Sequence, residues 1–91
     1  MPIDFAKIRE IASSSLMPDF FAVRIDEEGQ FEGLKQLITK IKLAAPNPKF
    51  DRIKALAAAA ATTNDFIEGV KKENLFVTMR EILTKIQLPS Q

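Results

Sequence analysis

Apolar residues recur along this chain at the spacing of a single helix face, and the pattern occurs twice. Phe5, Ile8, Ile11, Ala12 and Leu16 follow the i, i+3, i+6/7 rhythm of an amphipathic helix, and so do Phe50, Ile53, Leu56, Ala57, Ala60 and Ala61. Two further stripes are cleaner. Phe31, Leu34, Leu37, Ile38 and Ile41 line one face, as do Phe76, Met79, Ile82, Leu83 and Ile86, while Lys35, Lys40, Arg80 and Lys85 fall outside them. Local chemistry marks the ends. Asp4 is placed to cap the first helix, and Asn47-Pro48 supplies a cap followed by proline at the first helical position. Ser13-Ser14-Ser15 lacks the helix propensity of Ala57–Ala61, so the first helix is expected to fray near Ser14. Ala44-Ala45-Pro46-Asn47-Pro48 breaks the chain at its midpoint.

The segments between these stripes are less plain. Phe20-Phe21-Ala22-Val23-Arg24-Ile25-Asp26, with Gly29 after it, has the look of a strand entering a hairpin. Asp65-Phe66-Ile67-Glu68-Gly69-Val70-Lys71-Lys72 reads as a short helix. Sliding the chain by 45 residues decides between them. Without a gap, Phe5/50, Ile8/53, Ala12/57, Phe21/66, Glu28/73, Phe31/76, Thr39/84, Lys40/85, Ile41/86 and Leu43/88 are identical. Those matches fall within residues 5–43, where composition alone gives roughly two or three. Under this offset Asp19 and Asn64 coincide as candidate N-caps. Gly29 coincides with Asn74, and these two residue types most readily take the left-handed conformation that ends a helix. Both middle segments are therefore predicted as helices, with the hairpin over 20–31 as the alternative.

The expected fold is all-α. Six short helices form two tandem three-helix repeats, 1–45 and 46–91, packed as one compact domain about a pseudo-twofold, with solenoid-like stacking as the other arrangement. About 45 residues without a metal or disulfide is near the floor for independent folding, so the halves are expected to need each other. The offset also predicts that Phe31→Ala and Phe76→Ala are equally costly, at about 3–5 kcal/mol each.

Composition removes several classes of chemistry. The 91 residues contain no His and no Cys, so disulfides, thiolate zinc sites and the usual activated nucleophiles are absent, and Ser13–Ser15 have no imidazole partner. Net charge is +1, too small to draw the chain as a whole to nucleic acid or lipid. No apolar run approaches the ~18 residues of a membrane span. The N-terminal stretch lacks the pattern of a signal peptide. The expected location is the cytoplasm.

Two motif resemblances fail on their side chains. Setting Gly29 as the central glycine of a calcium loop puts Arg24 and Lys35 where carboxylates are needed. Residues 53–72 can be laid on a helix–turn–helix, but the second helix then turns Thr63, Asn64, Asp65, Glu68 and Gly69 toward a polyanion. No catalytic residue, cofactor or metal is expected, and the chain is read as not an enzyme.

What remains is a small helical protein–protein interaction module, an adaptor, scaffold or inhibitor, binding another protein or itself through apolar faces. Met17, Phe20, Phe66 and Val77 are its candidate contact residues, with core filling as the other role for Phe66. The alternative is a nucleic-acid or anion-binding regulator using cations that recur in both halves: Lys7, Arg9, Lys35, Lys40, Arg52, Lys54, Arg80 and Lys85. Lack of Tyr and Trp leaves little for base stacking.

Overall fold

The computed structural model describes residues 3–89. Six helices follow in order: α1 Phe5–Ser14, α2 Pro18–Glu27, α3 Phe31–Lys40, α4 Pro48–Ala59, α5 Thr63–Lys72 and α6 Phe76–Lys85. Among the described residues there is no strand, so the segment with the look of a hairpin is helical in α2. The extents, 32 × 30 × 23 Å, are those of a globule rather than an elongated stack.

Capping explains most boundaries. The Asp4 side chain accepts from the Lys7 N–H, and that of Asn47 from the Phe50 N–H, with Pro48 opening α4. The starts of α2 and α5 differ from expectation. Their N-caps are Met17 and Thr62, not Asp19 and Asn64, which lie inside the first turn. Thr62 accepts from the Asp65 N–H at 3.1 Å, whereas Met17 has no side-chain acceptor to offer. Both middle helices end alike. Gly29 takes φ 63° and Asn74 φ 57°, the left-handed region. The Gln30 N–H then bonds the Ile25 carbonyl at 3.0 Å, and the Leu75 N–H bonds that of Val70 at 2.9 Å, closing a Schellman motif at each site.

The helices pair as α1 with α6, α2 with α5 and α3 with α4. Cross-contacts run in opposite residue order, Arg9 to Leu83 against Arg80 to Ala12, so α1 and α6 are antiparallel. Asp19 with Lys71 and Asp26 with Thr63 establish the same for α2 and α5. Helices α2 and α5, and α3 and α6, begin and end 45 residues apart, and α1 and α4 end 45 apart. Exchanging residue n with n+45 leaves this set of helix pairings unchanged.

One core runs through the molecule, with Phe5, Ile8, Ile11, Phe21, Ile25, Leu34, Leu37, Phe50, Ile53, Phe66, Ile67 and Met79 among its buried members. Several stripe residues depart from expectation. Leu16 is exposed because the chain leaves α1 at Ser15, whose extended backbone (φ −101°, ψ 115°) ends the helical phase. Phe31 is only half-buried beneath Lys35, while Phe76 is buried against Phe21, ring centroids 5.9 Å apart. The two phenylalanines are therefore not equivalent. Ile82 and Ile86 are also half-buried, and Thr63, which the helix–turn–helix alignment turns outward, is buried and donates to Asp26.

Candidate functional site

Burial separates the candidate contact residues. Phe66 is 1% exposed and presents nothing to a partner. Met17, Phe20 and Val77 are exposed at 63%, 51% and 66%, joined by Leu16 at 80% and Val23 at 55%. Among the described residues these are the most exposed large apolar side chains. Leu16 and Met17 form the corner between α1 and α2. Phe20 and Val23 follow on the outer face of α2 one turn apart, since three residues on a helix share a face. Ser14, Leu16, Met17 and Phe20 line an open groove of about 250 Å³. The antiparallel pairing that sets Arg80 against Ala12 and Ser13 brings Val77 to the level of the α1–α2 corner. Val77 lies one turn before Arg80, which bonds the end of α1, and beside Phe76, which packs on Phe21.

The offset makes this face unusual. At the positions corresponding to Leu16, Met17, Phe20 and Val23 the chain has Ala61, Thr62, Asp65 and Glu68, and opposite Val77 it has Glu32. Small, polar or acidic side chains thus stand where this face has large apolar ones. Position 17 is the sharpest case, because an apolar residue occupies an N-cap where Thr62 provides a capping oxygen. Leu16 and Val23 were not among the sequence candidates. Comparing each half with the other, position by position for polarity rather than identity, is the signal that finds them.

Charges fringe the patch unevenly. Beyond Val23 stand Asp26 and Glu27, both exposed at the end of α2. At the other end the Arg80 guanidinium donates from Nε to the Ala12 carbonyl at 2.9 Å and from Nη2 to that of Ser13 at 2.8 Å. Asp19 is held by Lys71 Nζ at 2.9 Å. That hydrogen bond, with a second from Lys71 Nζ to the Glu68 carboxylate, raises the Lys71 ammonium above its ordinary pKa.

The recurring cations are largely engaged within the molecule. Arg9 Nε donates to the Leu83 carbonyl at 3.0 Å, and Lys35 Nζ to that of Ala60 at 2.8 Å. With Arg80, these three place positive charge at the C-terminal ends of α6, α4 and α1, where the helix dipole favours it. Arg52 bonds Glu73 at 2.7 Å, which raises the guanidinium pKa and lowers that of the carboxyl. Lys7 pairs with Glu10 and, at 3.9 Å, with Glu28. Lys40 and Lys54 sit over the rings of Phe5 and Phe50. Lys85 is exposed in the last turn of α6. The cations thus lie on separate helix ends and faces.

Two other cavities are larger. One of about 430 Å³ is walled by the inter-half segment Lys42–Asn47 with Phe50, Asp51 and Lys54. Another of about 300 Å³ lies between residues 40–44 and Ile86, Gln87 and Pro89. The charged side chains in the first are of mixed sign, and those in the second are Lys40 and Lys42. Among the described residues no group of three or more His, Cys, Asp or Glu is placed to hold a metal ion, and no helix is long and apolar enough to cross a membrane. No protein family, curated protein or solved structure matches this chain, so a functional reading rests on its own geometry.

Proposed function

We propose that this chain is a non-enzymatic protein–protein interaction module whose contact face is formed by Leu16, Met17, Phe20, Val23 and Val77. One observation carries the reading. These positions hold large apolar side chains in solvent, although the corresponding positions 61, 62, 65, 68 and 32 do without them. An exposed apolar patch is the usual mark of a binding surface. The anion-binding alternative draws less support, because Arg9, Lys35, Arg80 and Arg52 already bond carbonyl or carboxylate oxygens.

The test transplants the second half's residues onto the first, as Leu16→Ala, Met17→Thr, Phe20→Asp and Val23→Glu in one variant. Its circular dichroism is expected to match that of the native chain and its thermal unfolding to remain cooperative at no lower a temperature, while association seen with the native chain is lost. Native chain and variant associating identically, with themselves and with proteins of a native lysate, would remove the basis for the reading.

A further inference from the structure

We propose that the occupant of this face is a second copy of the chain, joined through α2 helices that run antiparallel across a twofold axis near Phe20. The inference rests on the interaction reading above and names the partner.

Area is the first argument. At their exposures, the five side chains present on the order of 500 Å² of apolar surface, near the top of the range for the largest patch on a monomer. Two such faces bury roughly 1,000 Å², the lower limit for a specific interface and the size of a weak, reversible one. In a twofold pair each contact occurs twice, so Phe20 of each copy enters the groove that Leu16, Met17 and Ser14 line on the other.

Charge gives the direction. Glu27 lies seven residues beyond Phe20, about 10 Å along α2 at the helical rise. On the opposite side of Phe20, past Met17, the Arg80 guanidinium sits on the Ser13 carbonyl. Antiparallel pairing brings the net acidic end of one copy, where Asp26, Glu27 and Glu28 outnumber Arg24, toward Arg80 of the other, whose charge remains because the oxygens it bonds are neutral carbonyls. Parallel pairing sets like ends together. Asp19, the carboxylate nearest the crossing point, is already bonded to Lys71, which removes most of the repulsion there. Patterned opposite charge at the edges of an apolar centre orients such an encounter.

Sedimentation equilibrium on the full chain tests this, over about 5 µM to about 1 mM, the range in which an interface of this size dissociates. The weight-average mass is expected to rise from 10.2 kDa toward twice that value. Phe20→Asp with Val23→Glu is expected to weaken self-association at least about 30-fold, as removal of central contacts does. Met17→Thr, which keeps a helix cap, should weaken it about 3–10-fold, and Glu27→Lys about 3-fold through the loss of opposite charge. A native chain that stays at monomer mass throughout overturns the proposal, and so do Phe20 and Val23 variants that associate as tightly as the native chain. If the native chain stays monomeric but captures another protein that the four-residue variant does not, the interaction reading survives and the second copy is excluded. If neither captures anything, both fall.

Discussion

Replacing Met17 with Thr should make the protein more stable, which is an unusual outcome for a side chain in contact with solvent. The backbone at Met17 (φ −130°, ψ 145°) nearly matches that at Thr62 (φ −134°, ψ 163°), so the new hydroxyl starts in the geometry that already caps α5. There the oxygen accepts from the N–H three residues on, at 3.1 Å. At α2 the corresponding donor is the Phe20 N–H, for which Met17 provides no acceptor. Gaining a Thr cap stabilises a helix by about 0.5–2 kcal/mol. Against this stands the loss of Met packing. With 63% of the residue exposed, only about a third of the 1.5–3 kcal/mol for full burial is at stake, and the Thr methyl recovers some of it. The net gain is about 0.5 kcal/mol, or roughly 2–4 °C in Tm for a domain of this size. Differential scanning calorimetry at low concentration, where self-association does not contribute, measures it. A Tm lowered by several degrees would mean that Met17 packs as a core residue, and the claim that folding forgoes stability to keep it exposed would be wrong.

Arg80→Ala should cost about 1.5–3 kcal/mol by chemical denaturation, since its bonds to the Ala12 and Ser13 carbonyls are charge-assisted and one is partly buried. Arg80→Lys should recover part of that, because Lys35 shows one such bond made by an ammonium. Phe76→Ala should cost about 3–5 kcal/mol and Phe31→Ala about half as much, in the order of their burial; equal losses would contradict the packing described. Asn74→Gly should leave the denaturation midpoint unchanged or raised, while Gly29→Ala should lose about 1–2 kcal/mol to left-handed strain. The Glu73 carboxyl should titrate below its ordinary 4.5 in an NMR pH series and return toward it in Arg52→Gln. Because the folded value is the lowered one, the contribution of the pair is complete above 4.5 and is lost as pH falls through the lower value.

The parts of the fold legible in the sequence were those set by local chemistry. Asp4, Asn47, Gly29 and Asn74 act on their own backbone or that of residues within one turn, so residue type and spacing identify them. Exposure was harder to read. Helical periodicity gives a face but not the neighbour that covers it, and so it assigns Leu16 to the stripe. The extended backbone at Ser15 turns it into solvent. Phe31 and Phe76 are identical in the offset, yet one lies half-buried beneath Lys35 and the other packs on Phe21. The roles of the recurring cations were hidden for another reason. Arg9 meets Leu83, and Arg80 meets Ala12, across separations of 74 and 68 residues that only the tertiary pairing brings together.

Those long-range bonds also tie residues 1–45 to residues 46–91. A helix end leaves carbonyls without intrahelical partners, and an uncovered set is costly where water is excluded. The end of α1 is met by Arg80 from α6, that of α6 by Arg9 from α1, and that of α4 by Lys35 from α3. Every one of these caps crosses between residues 1–45 and 46–91. Cutting the chain between residues 44 and 46 would strip these charged donors from three helix ends as well as opening the shared core, leaving α1 only the Ser14 and Ser15 hydroxyls of its own half. The apolar corner at Leu16–Phe20 is the opposite case. Among the described residues nothing covers it, while the corresponding corner over 61–65 carries Ala, Thr and Asp at its exposed positions, so no bond across the two halves accounts for the apolar character of residues 16–20.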